Sequence, residues 1–450
     1  MKKLLTGILV AILVAVVWRY LPMGAHIATG YSAKQLCSGM FVAGLPEEFV
    51  LETDIEPRMA VLGAAQGLLH IVSDNSGKSV ESTFLGFSST AQYQFATGCT
   101  LNPIHGENIA VAASDVTKAV EGAEVAVVVP AAELSAAYKQ AFAEPAGGGR
   151  NTLALLIMHK GKLIAEQYLA PITATTPMQG WSMNKSLIAT WAGIQVKKGQ
   201  LSLDQNVLLA LQSTGESLLG IEQNVDPGLT LFNLLHMESG FEFVETYDPG
   251  DDATQMLYNS SAMWRAAPEN GHEYPPGEHF SYSSGDANLA AFLWQSSLAG
   301  EPYYRWLEAN FSGPLGITSV TAEPDASGVQ VGSSYTYMTA RDWLRVGQFW
   351  LDAWHDRTDI LPEGWQREAT RPSVSNSEGN YGLSFWLNTQ GTQFPSLPKN
   401  MFNAGGNSGQ RVMVFPDQEL VVVRLGLSQS GVDQGVDLFS RQVLDILNPQ

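Results

Sequence analysis

Apolar residues recur at helical spacing after Gln179: Met183, Leu187, Ile188, Trp191 and Ile194 share one face. Lys197 and Lys198 suit a helix C-terminus, and Gly199 supplies the stop. This pattern predicts a helix that opens at Ser182. Before it, two strand-length apolar runs, Leu153 to Met158 and Leu163 to Leu169, flank Lys160-Gly161 and predict a hairpin. Further strands are predicted near the C-terminus, over Tyr381 to Leu387, Arg411 to Phe415 and Leu420 to Leu425. The stretch between reads mostly as helix. Leu231 to Met237 is capped by Thr230, Ala287 to Leu298 is helical, and Thr339 caps a helix through Trp354 with Asp342 complementing its N-terminus. A last amphipathic helix runs from about Val432 to Leu447. Strands at both ends with helices between imply one sheet closed by the two ends of a domain. The fold class predicted is α+β, an antiparallel sheet flanked by helices.

The N-terminal third has a different texture. Leu68 to Val72 and Val80 to Phe87 read as strands around the turn Asp74-Asn-Ser-Gly77. Glu121 to Val129 is predicted as a strand and Ala131 to Phe142 as an alanine-rich helix. Pro145-Ala-Gly-Gly-Gly149 is the best internal boundary. Residues 22–145 are therefore expected to form a small β-rich unit, and residues 146–450 the main domain. At the start, Lys2 and Lys3 precede an apolar run from Leu4 to Trp18, with Arg19 and Tyr20 behind it. Residues 1–21 read as a secretory signal or an uncleaved anchor. With no small-x-small cleavage site following, the anchor is preferred. Membrane attachment through this helix, on the periplasmic or other extracytoplasmic side of the inner membrane, is the expected location. The two cysteines, Cys37 and Cys99, suit a disulfide in an exported chain, the alternative being two buried thiols.

Charge narrows the function. The chain has 450 residues and a net charge of −19, with no basic stripe, so a nucleic-acid partner is not expected. The eight histidines are scattered, and His272 and His279 fit no common zinc spacing. No metal and no cofactor are expected.

The candidate chemistry lies at the start of the predicted helix. Ser182 and Lys185 stand three apart, so the amine lies one turn above the hydroxyl. A buried lysine can lose its proton and act as a base. A helix N-terminus offers partial positive charge where an alkoxide forms. Ser-x-x-Lys alone is a weak motif and needs partners. Tyr282, in Phe280-Ser-Tyr-Ser-Ser-Gly-Asp286 behind the rigid turn Pro275-Pro-Gly277, is the expected proton shuttle, with its pKa lowered by cationic Lys185. Ser284 is placed to bond the lysine or substrate. Tyr258-Asn-Ser260 has the same form and is set aside. So is a second Ser-x-x-Lys at Ser396 and Lys399, where Pro395 and Pro398 exclude a helix. The third element is Asn403-Ala-Gly-Gly-Asn-Ser-Gly-Gln410, entering an apolar strand. There the N–H of Gln410 is expected to join that of Ser182 as an oxyanion hole, with Asn407, Ser408 and Gly409 facing substrate.

These three elements, in this order, resemble the serine hydrolases related to class C β-lactamases and penicillin-binding proteins. Ser182/Lys185, Tyr282/Ser284 and Asn407/Ser408/Gly409 stand where the family has Ser-x-x-Lys, Tyr-x-Asn/Ser and Lys/His-Thr/Ser-Gly. The flanks Leu229 to Gly240, Pro275-Pro-Gly277 and Thr339 to Trp343 are similar too, and the chain looks closest to the branch that includes 6-aminohexanoate-dimer hydrolases. The resemblance implies a β-lactamase/transpeptidase-like fold with an inserted all-helical subdomain, and an acyl-enzyme on Ser182. Asn407 stands where relatives carry a cation, which points away from carboxylate-bearing substrates and toward a neutral small-molecule amide or ester. The competing expectations are a non-catalytic protein that binds cell-wall peptides, and a β-lactamase proper.

Overall fold

The structure is a computed structural model that describes residues 2–103 and 132–447, with side chains described for residues 21–103 and 134–447. The strand expected over Glu121 to Val129 lies outside the described residues. A six-stranded antiparallel sheet forms the centre of the main domain. Its strands are β5 (Thr152–His159), β6 (Lys162–Tyr168), β10 (Trp386–Leu387), β11 (Phe402–Gly406), β12 (Gln410–Phe415) and β13 (Leu420–Gly426), in the order β10-β11-β12-β13-β5-β6. The pairing of β13 with β5, Val422 opposite Ile157, closes the sheet from its two sequence ends. The contiguous apolar runs reflect burial on both faces. Val412, Val414, Val421 and Val423 enter one core, while Met413, Phe415, Leu420 and Val422 enter the other. Helices Ala132–Phe142 and Val436–Leu447 cover the second face. The first face carries the buried helices Met183–Lys197 and Ala340–Trp354, and the helical segment between residues 207 and 315 packs beside it. A three-stranded sheet, β7 (Pro177–Gln179), β9 (Thr336–Thr339) and β8 (Thr321–Ala322), links this segment to the nucleophile helix.

The N-terminal third opens on a helix rather than on strands. Helix α1 spans Lys2–Phe41, and Tyr31, Leu36 and Cys37 on it are buried. It packs on a four-stranded antiparallel sheet, β1 (Leu69–Asp74), β2 (Ser79–Phe84), β3 (Phe87–Gln94) and β4 (Gly98–Leu101). The expected hairpin is present with its turn at residues 75–78, but the run expected as one strand from Val80 to Phe87 breaks at a turn over Leu85-Gly86, where Phe87 begins β3. Cys37 and Cys99 are joined by a disulfide, with Cα atoms 6.2 Å apart.

The anchor expected over residues 1–21 finds no support. The helix does not stop at that boundary but runs on into the folded core, and among the described residues no helix is long and apolar enough to cross a membrane. The side chains of residues 1–20 lie outside the described residues.

A feature without a local sequence signal ties α1 to the main domain. Lys34 forms a fully buried ion pair with Glu323, which also accepts from the hydroxyl of Ser38 at 2.9 Å and from the N–H of Cys99 at 2.6 Å. The Lys34 ammonium also sits 4.2 Å from the Tyr335 ring. Burial lowers the lysine pKa and raises that of the glutamate, and their contact opposes both shifts.

Candidate active site

Ser182 is the N-cap of helix Met183–Lys197, and its side chain makes no capping bond. The hydroxyl is thus left for other work. The entry to this helix is tight. A Cβ at Gly180 would lie 2.4 Å from the Trp343 ring, and Trp181 adopts φ 48, a left-handed conformation that costs a non-glycine residue energy. Strand β11 passes close by: a Cβ at Gly406 would lie 2.2 Å from the Gly180 carbonyl. Glycine is required there because two backbones meet.

Lys185 is 1% exposed. Its Nζ donates to Ser182 Oγ at 3.0 Å and to Ser284 Oγ at 2.9 Å, and lies 4.7 Å from the Tyr282 ring. The structure therefore brings Ser182, Lys185, Tyr282 and Ser284 together. Tyr282 packs against Trp386 and Tyr381, with ring centroids 5.0 and 5.6 Å away. Helix Ser284–Ser296 fixes its own start through the Ser283 hydroxyl, which accepts from the Asp286 N–H at 3.0 Å.

Sequence reasoning missed the residue that completes this cluster. Glu245 accepts from the Ser284 N–H at 2.8 Å and from the Ser284 hydroxyl, and its Oε1 lies 3.7 Å from Lys185 Nζ. Hydroxyl, amine, hydroxyl and carboxylate form one chain from Ser182 to Glu245. Burial raises the Glu245 pKa, and Lys185 together with the bonds from Ser284 works against that. Nothing in the local pattern of Glu245 separates it from the other 43 acidic residues. Tyr247 lies half-buried two residues on, with its buried hydroxyl unpartnered.

Two expectations need correction. The Tyr282 pKa is raised, not lowered: burial dominates, the Glu245 charge adds to it, and bonds from Ser182 and Trp386 only partly offset them. The phenol is neutral at rest. The Gln410 N–H does not face the nucleophile as an oxyanion donor, since it donates to the Asn407 carbonyl. The cause is local: residues Asn407–Gly409 fold into a single 3₁₀ turn with Ser408 at φ 59. That turn also holds the three residues expected to face substrate, each of them bonded within the protein. Ser408 Oγ accepts from Arg58 of the N-terminal unit at 2.8 Å, and the Gly409 carbonyl accepts from Arg424 at 2.7 Å. Asn407 bonds its own turn, accepting from the Ser408 N–H at 2.6 Å. The rejected candidates lie elsewhere. Tyr258 packs 5.2 Å from Tyr31 on α1, and Ser396 donates to Asp437.

A family model for Beta-lactamase matches residues 138–440, about two thirds of the chain. The chain belongs to this family. Solved structures share the fold at low identity. A protein from Bacillus anthracis described as a 6-aminohexanoate-dimer hydrolase is 18% identical, with a TM-score of 0.56 over 67% of this chain and 81% of its own. A penicillin-binding protein homologue from Caulobacter crescentus is 15% identical, with a TM-score of 0.54 over 70% of this chain and 98% of its own. A D-stereospecific amidohydrolase from Streptomyces is 17% identical, with a TM-score of 0.52 over 71% of this chain and 99% of its own. A search of the curated proteins finds no match. The mixed helix and antiparallel-sheet architecture is that of the β-lactamase-fold hydrolases.

One group beside the cluster titrates in an accessible range. Asp286 is buried, and desolvation pushes its pKa up to about 7 despite bonds from Ser239 and Ser283. The folded state therefore binds this proton more tightly than the unfolded chain. The associated stability is complete below pH 3.8 and is lost as pH rises through about 7. We expect the unfolding free energy to fall by on the order of 2–4 kcal/mol between pH 4 and 8 from this group. Asp286→Asn should flatten that decline in urea titrations run at several pH values.

Proposed function

We propose that the chain is an exported serine hydrolase that cleaves a small amide or ester through an acyl-enzyme on Ser182. The observation that carries this reading is the buried Lys185 amine, held between the hydroxyls of Ser182 and Ser284. The Ser182 oxygen attacks the substrate carbonyl carbon as its proton moves to Lys185. Lys185 meets this demand with a free electron pair when its resting proton has passed through the Ser284 hydroxyl to Glu245. Burial favours the protonated form of that carboxyl. Tyr282, neutral at rest, gives its proton to the leaving nitrogen or oxygen and recovers one from the lysine. Water then attacks the acyl-enzyme by the reverse proton path and frees Ser182.

Residues 146–450 are the proposed hydrolase domain and residues 22–145 a unit packed on it, reaching the site region through Arg58. The Cys37–Cys99 disulfide supports an oxidising compartment outside the cytoplasm.

The test is covalent labelling by a fluorophosphonate probe followed by peptide mapping. We expect one adduct, on Ser182, and none on Ser182→Ala. A folded wild-type protein that stays unlabelled and turns over no short-chain ester overturns the hydrolase reading in favour of a binding protein. Turnover of a chromogenic cephalosporin at ordinary enzyme rates assigns a β-lactamase instead.

A further inference from the structure

Arg58 lies outside the matched residues 138–440, yet it touches both segments that meet beside Ser182. The short helix Glu56–Met59 carries it. Its Nε donates to Asp54 Oδ1 at 3.1 Å, an oxygen that also accepts from the Tyr31 hydroxyl at 2.6 Å. The guanidinium carbon lies 5.5 Å from the Tyr31 ring centroid. One edge of the side chain is thus fixed to its own unit. The other edge reaches the main domain. Nη2 donates to Ser408 Oγ at 2.8 Å, and the guanidinium carbon lies 5.5 Å from the Trp181 ring centroid.

The two main-domain partners share a property. Trp181 has φ 48 and Ser408 has φ 59, and neither is glycine. A left-handed backbone at such residues is strained and persists only where its surroundings over-determine it. Trp181 is the residue before the nucleophile. Ser408 lies two residues beyond Gly406, where β11 meets the Gly180 carbonyl. The backbone of the 407–409 turn is held from within the main domain. The Ser408 carbonyl accepts from the Ser428 N–H at 2.9 Å, and the Gly409 carbonyl accepts from Arg424 at 2.7 Å. The Ser408 hydroxyl is held from the N-terminal unit, by Arg58. A planar fork of donors that also stacks on rings suits this shared contact, and a single ammonium does not reproduce it.

We propose that Arg58 is a positioning residue that clamps the entry of the Ser182 helix to the 407–409 turn, so that the nucleophile is held in place only when the N-terminal unit is docked. Its effect on turnover rests on the hydrolase reading. Its effect on the order of the two segments rests on packing alone.

The full chain carrying Arg58→Gln tests both effects. Hydrogen exchange read by mass spectrometry reports order. We expect peptides covering 178–184 and 404–412 to exchange at least about 10-fold faster than in wild type, with a peptide covering 152–159 unchanged. Labelling of Ser182 by the fluorophosphonate probe and turnover of a short-chain ester report function. A reacting group misplaced by about 1 Å costs on the order of 10²-fold. The labelling rate and kcat should therefore fall by about 30–100-fold, with KM held within about 3-fold. Arg58→Lys should recover part of the loss. Unchanged exchange in both peptides, faster exchange throughout the molecule, or a wild-type labelling rate in Arg58→Gln overturns the clamp. If the wild type itself does not label, the hydrolase reading fails and exchange alone decides the clamp. If Arg58→Gln does not fold, Ser408→Ala, which removes one arm and leaves the Arg58–Asp54 pair, is read the same way at 404–412.

Discussion

Lys185→Met is expected to reduce Ser182-dependent turnover by on the order of 10³–10⁴-fold in kcat/KM. The amine touches the hydroxyls of both Ser182 and Ser284, at 3.0 Å and 2.9 Å, and methionine keeps its volume while removing its proton chemistry. Lys185→Arg should not rescue activity, because a guanidinium keeps its proton at any working pH. Loss of the cation also leaves Glu245 buried without its partner, so the single variant should be less stable by on the order of 3–5 kcal/mol. Lys185→Met/Glu245→Gln removes both charges. It should recover most of the stability in urea unfolding and none of the activity. A double variant that regains activity would show that the amine is structural and that the base lies elsewhere.

The second large effect is on stability alone. Glu323→Ala should destabilise the fold by on the order of 3–5 kcal/mol. It strands Lys34, which is 1% exposed, and deprives the Cys99 N–H and the Ser38 hydroxyl of their acceptor. Because this pair joins α1 to the main domain, the loss should appear first as protease sensitivity of the N-terminal unit. Lys34→Met/Glu323→Leu, which replaces the pair by apolar side chains, should be far milder than either single change. Urea midpoints for the four proteins check this. Additive losses would mean that the two charges do not depend on each other.

The two proposed roles for N-terminal residues follow from the same packing. Arg58 reaches Ser408 in the turn that borders β11, while Lys34 fixes the helix that carries the unit. The turn at 407–409 is thus held from outside by Arg58 and Arg424. That explains why its residues make bonds other than those their motif suggested.

What the sequence alone determined was local or periodic. The run from Met183 to Ile194 repeats at helical spacing, so the Ser182 and Lys185 juxtaposition follows from one helical turn. The apolar runs of β5, β12 and β13 are long and uninterrupted because both faces of the sheet are covered, and this marked them as strands of one sheet. Tyr282 was legible because a proline turn and a helix start bracket it. What only the tertiary structure decided depends on long-range contacts. Glu245 enters the cluster across 39 positions to Ser284. The Tyr282 pKa moved opposite to expectation because burial and an unforeseen carboxylate outweigh a cation. A side chain's field and solvation are sums over neighbours from every part of the chain, and no window of sequence contains them.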